Sequence, residues 1–209
     1  MRVQPGYNEM AYVYDEAFPT GYTSAVERHA VAIFAEDLVA AGPSGPVVDV
    51  GCGAGHIAYD LSSRGLDVVG VDPSTAMLAL GQQRYPDLSW VLGDATLAQL
   101  TEGYPALAGI IARFSLIHVA PETLPGILTT WVQRLQLGAQ VMVAFQCSDD
   151  PARPVREFDH RVARAWRWHP DAMAAALRTA GLSERWRLVT TPDDMHRFAE
   201  CHLVCGLAA

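Results

Sequence analysis

Apolar positions along the chain fall into short unbroken runs alternating with longer stretches of helical period, and that order predicts an alternating α/β sheet with additions at both ends. Residues 7–40 read as helical, with Tyr7, Tyr12, Tyr14 and Phe18 early and an apolar-periodic stretch from Ala25 to Val39. Gly42-Pro43-Ser44-Gly45-Pro46 breaks the chain. The run Val47-Val48-Asp49-Val50 then reads as a strand covered on both faces. A helix opening at His56, a strand over Leu66–Val71 and a helix from Pro73-Ser74 to about Arg84 follow. Leu88–Leu92, Gly109–Phe114 and Gly138–Phe145 are the next strands, with a helix from about Pro121 to Gln136 before the last of them. Residues 146–168 carry no clear strand pattern. A helix from His169-Pro170 to Ala180 stops at Gly181, and two strands, roughly Arg185–Thr190 and Phe198–Gly206, close the pattern.

The first strand runs straight into Gly51-Cys52-Gly53-Ala54-Gly55, which predicts a hairpin stripped of Cβ atoms where a ligand would approach the backbone. The second strand ends in Asp72, 21 residues beyond Gly51, the distance at which a βαβ unit presents an acid to a ribose. Those two features point to a bound nucleoside. A dinucleotide site requires G-x-G-x-x-G, and its third glycine is replaced here by His56.

The spacing Gly51-x-Gly53-x-Gly55 after a strand resembles the first motif of class I S-adenosylmethionine-dependent methyltransferases. The likeness covers about residues 45 to 206. It implies a Rossmann-like α/β fold, a seven-stranded, mostly parallel sheet flanked by helices whose last strand inserts antiparallel. It also implies S-adenosyl-L-methionine as cofactor and S-adenosyl-L-homocysteine as product. Carried over residue by residue, Asp49 contacts the methionine ammonium, and Gly51, Cys52, Gly53 and Gly55 wrap the amino-acid tail. Asp72 holds the ribose hydroxyls, while Pro73 and Met77 pack on the adenine. Gly93-Asp94-Ala95 resembles the segment whose aspartate accepts the adenine amino group. Each aspartate has a plain alternative: Asp49 bonding loop amides, Asp72 and Asp94 capping helices. Arg113 and Phe114, through His118, resemble the segment that closes over the methionine part, with Tyr14 of an N-terminal lid nearby. Two positions depart from the pattern, Ala108-Gly109 where relatives carry Phe-Asp, and Leu137-Gly138-Ala139 where they carry Pro-Gly-Gly.

His118 and His160 are the candidate catalytic groups, since a histidine titrates near neutrality and either could take an acceptor proton or merely bond backbone. The domain reading is one unit over 1–209, with 1–44 a helical cap, 45–145 and 169–209 the cofactor-binding core, and 146–168 an acceptor-side insert. That insert holds Arg153, Arg156, Arg161, Arg164 and Arg167 among acids, able to clamp a carboxylate or phosphate or to pair with one another. The acceptor pocket is expected between the N-terminal helix, the Phe114–His118 loop and this insert.

The net charge of −8, with a pI near 5.2, argues against a nucleic-acid backbone as partner. All 15 basic residues are arginine, which excludes Schiff-base and P-loop lysines. Cys201 and Cys205 would stand roughly 13 Å apart on a strand at ~3.3 Å per residue, too far to share a zinc, so no metal is expected. No apolar run reaches transmembrane length and no signal-peptide core is visible, so a cytoplasmic monomer or homodimer is expected. The expected function is methyl transfer to oxygen or nitrogen, less readily carbon, of a small molecule. A non-methylating S-adenosylmethionine protein and an NAD(P)-dependent oxidoreductase remain the alternatives.

Overall fold

The computed structural model of the chain describes residues 4–100, 104 and 106–207. Helix α1 (Tyr7–Ala17) is followed by α2 (Ala25–Ala41), β1 (Val47–Val50), α3 (His56–Ser63), β2 (Val68–Asp72), α4 (Thr75–Arg84) and β3 (Ser89–Leu92). Then come β4 (Leu107–Arg113), a 3₁₀ turn (Leu116–His118), α5 (Leu124–Arg134) and β5 (Leu135–Gln146). The chain closes with β6 (Val155–Phe158), β7 (Ala165–Trp168), α6 (Pro170–Thr179), β8 (Leu182–Val189) and β9 (Glu200–Leu207).

Seven strands form one sheet in the order β3-β2-β1-β4-β5-β9-β8. β1 through β5 run parallel, and β9 inserts antiparallel between β5 and β8. The order reverses between β1 and β4, so their carboxyl ends open the crevice in which such sheets bind ligands. β1 is buried at all four positions, as expected of a central parallel strand. Two apolar layers sandwich the sheet. Phe34 and Leu38 of α2 pack with Ile57 and Leu61 of α3 on one face. On the other, Leu128 and Trp131 of α5 meet Met173 and Leu177 of α6. No described helix is long and apolar enough to cross a membrane.

Two elements differ from the sequence expectation. The predicted single helix over 7–40 is two, because Pro19 and Gly21 interrupt it and Gly21 lies at φ +70° with its missing Cβ 2.8 Å from His56 Cβ. Ser24 restarts the helix, its side chain accepting from Glu27 N at 3.2 Å. The 146–168 insert, read as strandless, holds the antiparallel pair β6–β7, with Val155 opposite Trp168 and Phe158 opposite Ala165. Its strands are only four residues each and rest on long-range packing, since Ala165, Trp166 and Trp168 are buried in the α5–α6 layer.

Candidate functional site

The three glycines after β1 have different jobs. Gly51 N and Cys52 N both donate to Val71 O, at 2.7 and 3.1 Å, tying the loop to β2. A Cβ at Gly51 would stand 2.3 Å from Ser115 Cβ, whose hydroxyl donates to Val50 O at 2.6 Å. A Cβ at Gly55 would fall 2.1 Å from the Trp90 ring, which fills the space among Gly55, Gly70 and Gly81. Only at Gly53, φ +55°, is the space open, with Met77 Sδ at 3.9 Å its nearest neighbour. The expectation that all three glycines clear a ligand is therefore corrected: two of them make room for Ser115 and Trp90.

Asp72 closes over this loop. Its Oδ2 accepts from Gly53 N at 2.9 Å and its Oδ1 from Ser74 N at 2.8 Å, while the cap of α4 is Ser74, whose hydroxyl accepts from Met77 N; each Asp72 oxygen keeps a further lone pair. Burial raises its pKa, and the two amides oppose that rise. Asp49 is buried, with Oδ2 lacking any hydrogen-bond partner among the described residues. Burial pushes its carboxyl up to about 7, against the pull of Arg113. Cys52 is buried too, its Sγ 3.7 Å from Gly53 O, and burial drives its thiol well above the ordinary value. Pro73 is exposed and Met77 buried at the Gly53 side. Gly93 N donates to Asp72 O at 3.1 Å. Asp94 Oδ1 accepts from Thr96 N at 2.9 Å, but residues 95–100 form turns and no helix, so the expected helix cap is not realised. Asp94 and Ala95 nevertheless line a cleft of about 480 Å³ together with His118, Thr123 and Ile127, a volume suited to a small ligand.

Helix α1 packs on α4 beside the strand ends and reaches His118. Asn8 Oδ1 accepts from Ser74 Oγ at 2.8 Å and Ala76 N at 3.1 Å, and Asp15 forms a two-pronged pair with Arg84 at 2.6 Å. Tyr7 Oη stands 2.9 Å from His118 Nε2, and His118 Nδ1 stands 2.8 Å from Arg164 O. A carbonyl can only accept, so Nδ1 carries the proton and the Nε2 lone pair accepts from the Tyr7 hydroxyl. Burial lowers the His118 pKa and raises that of Tyr7. The His160 ring lies 4.9 Å from that of His118, but its Nδ1 accepts from Val162 N at 3.3 Å. That tautomer leaves His160 without a free lone pair, and burial lowers its pKa to about 4. His160 therefore holds a turn in this structure, while the N-terminal helix, the 114–118 loop and the insert do meet. The insert's arginines mostly pair with acids: Arg153 with Asp150, Arg156 with Asp149 and Arg164 with Glu157. Arg167 instead stacks on Phe198 at 3.9 Å.

A second polar region lies beside β4. Arg113, at the end of β4, pairs through Nη2 with the buried Glu27 of α2, donates through Nη1 to Gly21 O at 3.0 Å, and stacks on Tyr22 and Phe114. Arg113 thus locks α2 to the sheet. Phe114 takes φ +52°, an uncommon conformation for a residue with a side chain. His202 is fully buried behind Phe114 with both ring nitrogens unpaired among the described residues, and burial lowers its pKa to about 3. Tyr14 stands between the two regions: burial raises its pKa, Arg113 opposes the rise, and Glu27 and Asp72 add to it. Sequence reasoning missed Glu27, Asn8, Ser115 and Trp90. For Trp90 a signal existed, since Gly70 and Gly81 leave space for a large ring, but the others gain meaning only through contacts across the fold.

A doubly wound sheet with a glycine loop and two buried carboxylates at its switch point defines a Rossmann-like α/β protein of the nucleoside-binding kind. A family model described as "Methyltransferase domain" matches residues 47–138. Over 85 residues the chain is 39% identical to a demethylmenaquinone methyltransferase of Beutenbergia cavernae, covering 41% of this chain and 35% of that relative. Over 122 residues it is 34% identical to a trans-aconitate 2-methyltransferase of Delftia acidovorans, covering 56% and 42%. The matched stretches thus span well under half the length of these relatives. Among solved structures, the 1,6-didemethyltoxoflavin-N1-methyltransferase of Burkholderia thailandensis, crystallised with 1,6-didemethyltoxoflavin and S-adenosylhomocysteine, shares the fold at TM-score 0.71. The identity there is 19%, over 100% of this chain and 93% of the other. The magnesium protoporphyrin IX methyltransferase of Synechocystis, with S-adenosylmethionine bound, gives TM-score 0.69 and 19% identity over 97% and 93%. Residues 47–138 thus match a methyltransferase domain, and the chain as a whole has the fold of S-adenosylmethionine-dependent methyltransferases.

Proposed function

We propose that the protein transfers the methyl group of S-adenosyl-L-methionine to an oxygen or nitrogen of a small molecule. The observation that carries this reading is the pair Asp49 and Asp72 around the open Gly53. Asp49 Oδ2 is a buried acceptor without a donor, which an ammonium group would satisfy. Asp72 keeps two lone pairs for ribose hydroxyls after its two backbone bonds. Asp94 and Ala95 offer the neighbouring cleft to the adenine. The residues present fit the cofactor. When bound, it supplies a methyl group already activated on a sulfonium, so the protein's task is alignment and exclusion of water.

Helix α1 contributes the proton chemistry. An acceptor hydroxyl or amine that donates to Tyr7 Oη would pass its proton there while the Tyr7 proton moves to His118 Nε2, 2.9 Å away. The resulting imidazolium keeps its Nδ1–H on Arg164 O. The lowered His118 pKa keeps the ring neutral and ready to accept at pH 7. Calorimetry and thermal shift with S-adenosylhomocysteine test the cofactor half, with NADH as the control that should give neither heat nor shift. Asp72→Ala should weaken the cofactor by one to two orders of magnitude, about 1.5–3 kcal/mol for bonds to a charged group. Wild-type affinity in that variant would remove Asp72 from the site.

A further inference from the structure

Three lone-pair donors converge at the carboxyl edge of the sheet, outside the nucleoside side of the crevice. Glu27 comes from α2, Glu200 from the start of β9, and His196 from the loop just before it. One ligand atom of each lies within 4.8 Å of the other two. Glu27 is 2% exposed and Glu200 7%, so two carboxylates share one largely buried site. Glu200 makes hydrogen bonds only through its backbone, to Thr190, and among the described residues none reaches its carboxylate. Burial, with Glu27 next in effect, pushes the Glu200 carboxyl up to about 7.

Donors are too few for this cluster. Asp193 Oδ1 stands 2.8 Å from His196 Nδ1 and can only accept, so that nitrogen carries the proton. In the neutral ring the Nε2 lone pair then faces Thr23 Oγ1 at 2.8 Å and Glu27 Oε1 at 3.8 Å. The Thr23 hydroxyl lies 2.8 Å from Nε2 and also touches Glu27 Oε1, with one proton to serve both; Thr23 N adds a weak bond to Oε1 at 3.3 Å. Arg113 neutralises one carboxylate through Glu27 Oε2, and the other has no counter-charge at bonding distance among the described residues. A carboxylate–histidine pair whose other ring nitrogen faces two more carboxylates is the arrangement that orients a metal-binding imidazole.

We infer that Glu27, His196 and Glu200 form a binding site for a divalent first-row transition-metal ion, with Asp193 as the residue that orients His196. Two carboxylates with one imidazole suit manganese, iron or zinc, and the absence of thiolate disfavours copper(I). Three protein ligands leave coordination positions for water or for an oxygen of a bound small molecule.

The test uses the full chain after dialysis against a chelator. Manganese(II) is titrated in and its free spectrum followed by electron paramagnetic resonance, with zinc(II) as competitor. One ion per chain should be taken up, with a rise in Tm. Glu200→Gln and His196→Ala should each weaken uptake at least tenfold, and Asp193→Asn about tenfold. Glu157→Gln, in the exposed pair with Arg164, should leave it unchanged. The isosteric Glu200→Gln decides if His196→Ala does not fold by circular dichroism. No uptake at millimolar ion, or uptake unaltered in Glu200→Gln, overturns the site. The same holds if Glu200→Gln raises Tm without any ion effect in the wild type, because a shared proton then explains the cluster. Methyl transfer enters none of these readings.

Discussion

Two sets of buried carboxylates lie along one edge of the sheet and are handled in opposite ways. Asp49 and Asp72 sit on β1 and β2, within 23 residues of each other, and their environment is made of backbone: loop amides, a helix start and an open glycine. Glu27 and Glu200 come from opposite ends of the chain, and their environment is made of side chains: Arg113, Thr23 and His196. Backbone-built sites follow from local sequence, because the strand, the turn and the cap are each written in adjacent residues. Sites built from side chains depend on the whole fold closing correctly. The first set is therefore expected to govern cofactor affinity, and the second to govern stability, the position of the N-terminal helices and the uptake of a metal ion.

The largest expected effect falls on the second set. Arg113→Ala leaves Glu27 buried without its cation, and removing one partner of a buried pair costs about 3–5 kcal/mol. Urea unfolding should show that loss. A loss under 1 kcal/mol would mean that Glu27 is protonated or otherwise compensated, and the contrast between the regions would fail.

That division also explains what the sequence could and could not disclose. Val47–Val50, the glycine loop and Asp72 were legible because a doubly buried strand, a hairpin and a terminal acid are contiguous signals. The break between α1 and α2 carried a signal in Pro19 and Gly21, outweighed by the apolar periodicity on either side. The β6–β7 pair had none: Val155-Arg156-Glu157-Phe158 does not alternate, and the pairing rests on burial of Trp166 and Trp168 far away in the chain. Tyr7 and His118 are 111 positions apart, so nothing local in the sequence discloses their hydrogen bond. Glycine spacing by itself suggested three ligand-facing positions, and only packing shows that Ser115 and Trp90 claim two of them.

Helix α1 sharpens the comparison next. Tyr7→Phe keeps the ring edge against Tyr14 but removes the proton path to His118. Turnover, read as S-adenosylhomocysteine release with an acceptor that supports it, should fall about 100-fold while cofactor affinity stays nearly constant. The acid limb of the wild-type profile should lie below the ordinary histidine value of about 6.5, because burial keeps His118 unprotonated further into acid. A parallel loss of cofactor affinity would make Tyr7 a packing residue of that helix.

A smaller effect separates the two regions by pH. The folded protein holds a proton on Glu200 up to about pH 7, whereas the unfolded chain releases it near the ordinary glutamate value of 4.5. Native protein thus binds more protons in that window, and this group's contribution to stability falls as pH rises from about 4.5 to 7. The slope is at most about 1.4 kcal/mol per pH unit for one proton. His202, with its pKa near 3, acts in the opposite sense, because its burial favours the neutral ring and is lost as pH falls below about 6.5. In chelator, Glu200→Gln should therefore show stability rising more steeply with pH across 4.5–7 than the wild type does. Identical slopes would assign the proton elsewhere.

The finest test lies within the glycine loop. Gly53→Ala and Gly55→Ala share the burden of a positive φ, about 1–2 kcal/mol for a residue with a side chain. At Gly53 the new methyl enters open space, so stability should fall by little more than that while S-adenosylhomocysteine affinity drops at least tenfold. At Gly55 the methyl meets Trp90 at 2.1 Å, so unfolding should be eased further. Trp90→Ala in the same chain should relieve that clash, which makes the pair non-additive in a double-mutant cycle. If Gly53→Ala bound the product as tightly as wild type, the open face of the loop would not be where the amino-acid tail lies, and Asp49 would need another partner for its unpaired oxygen.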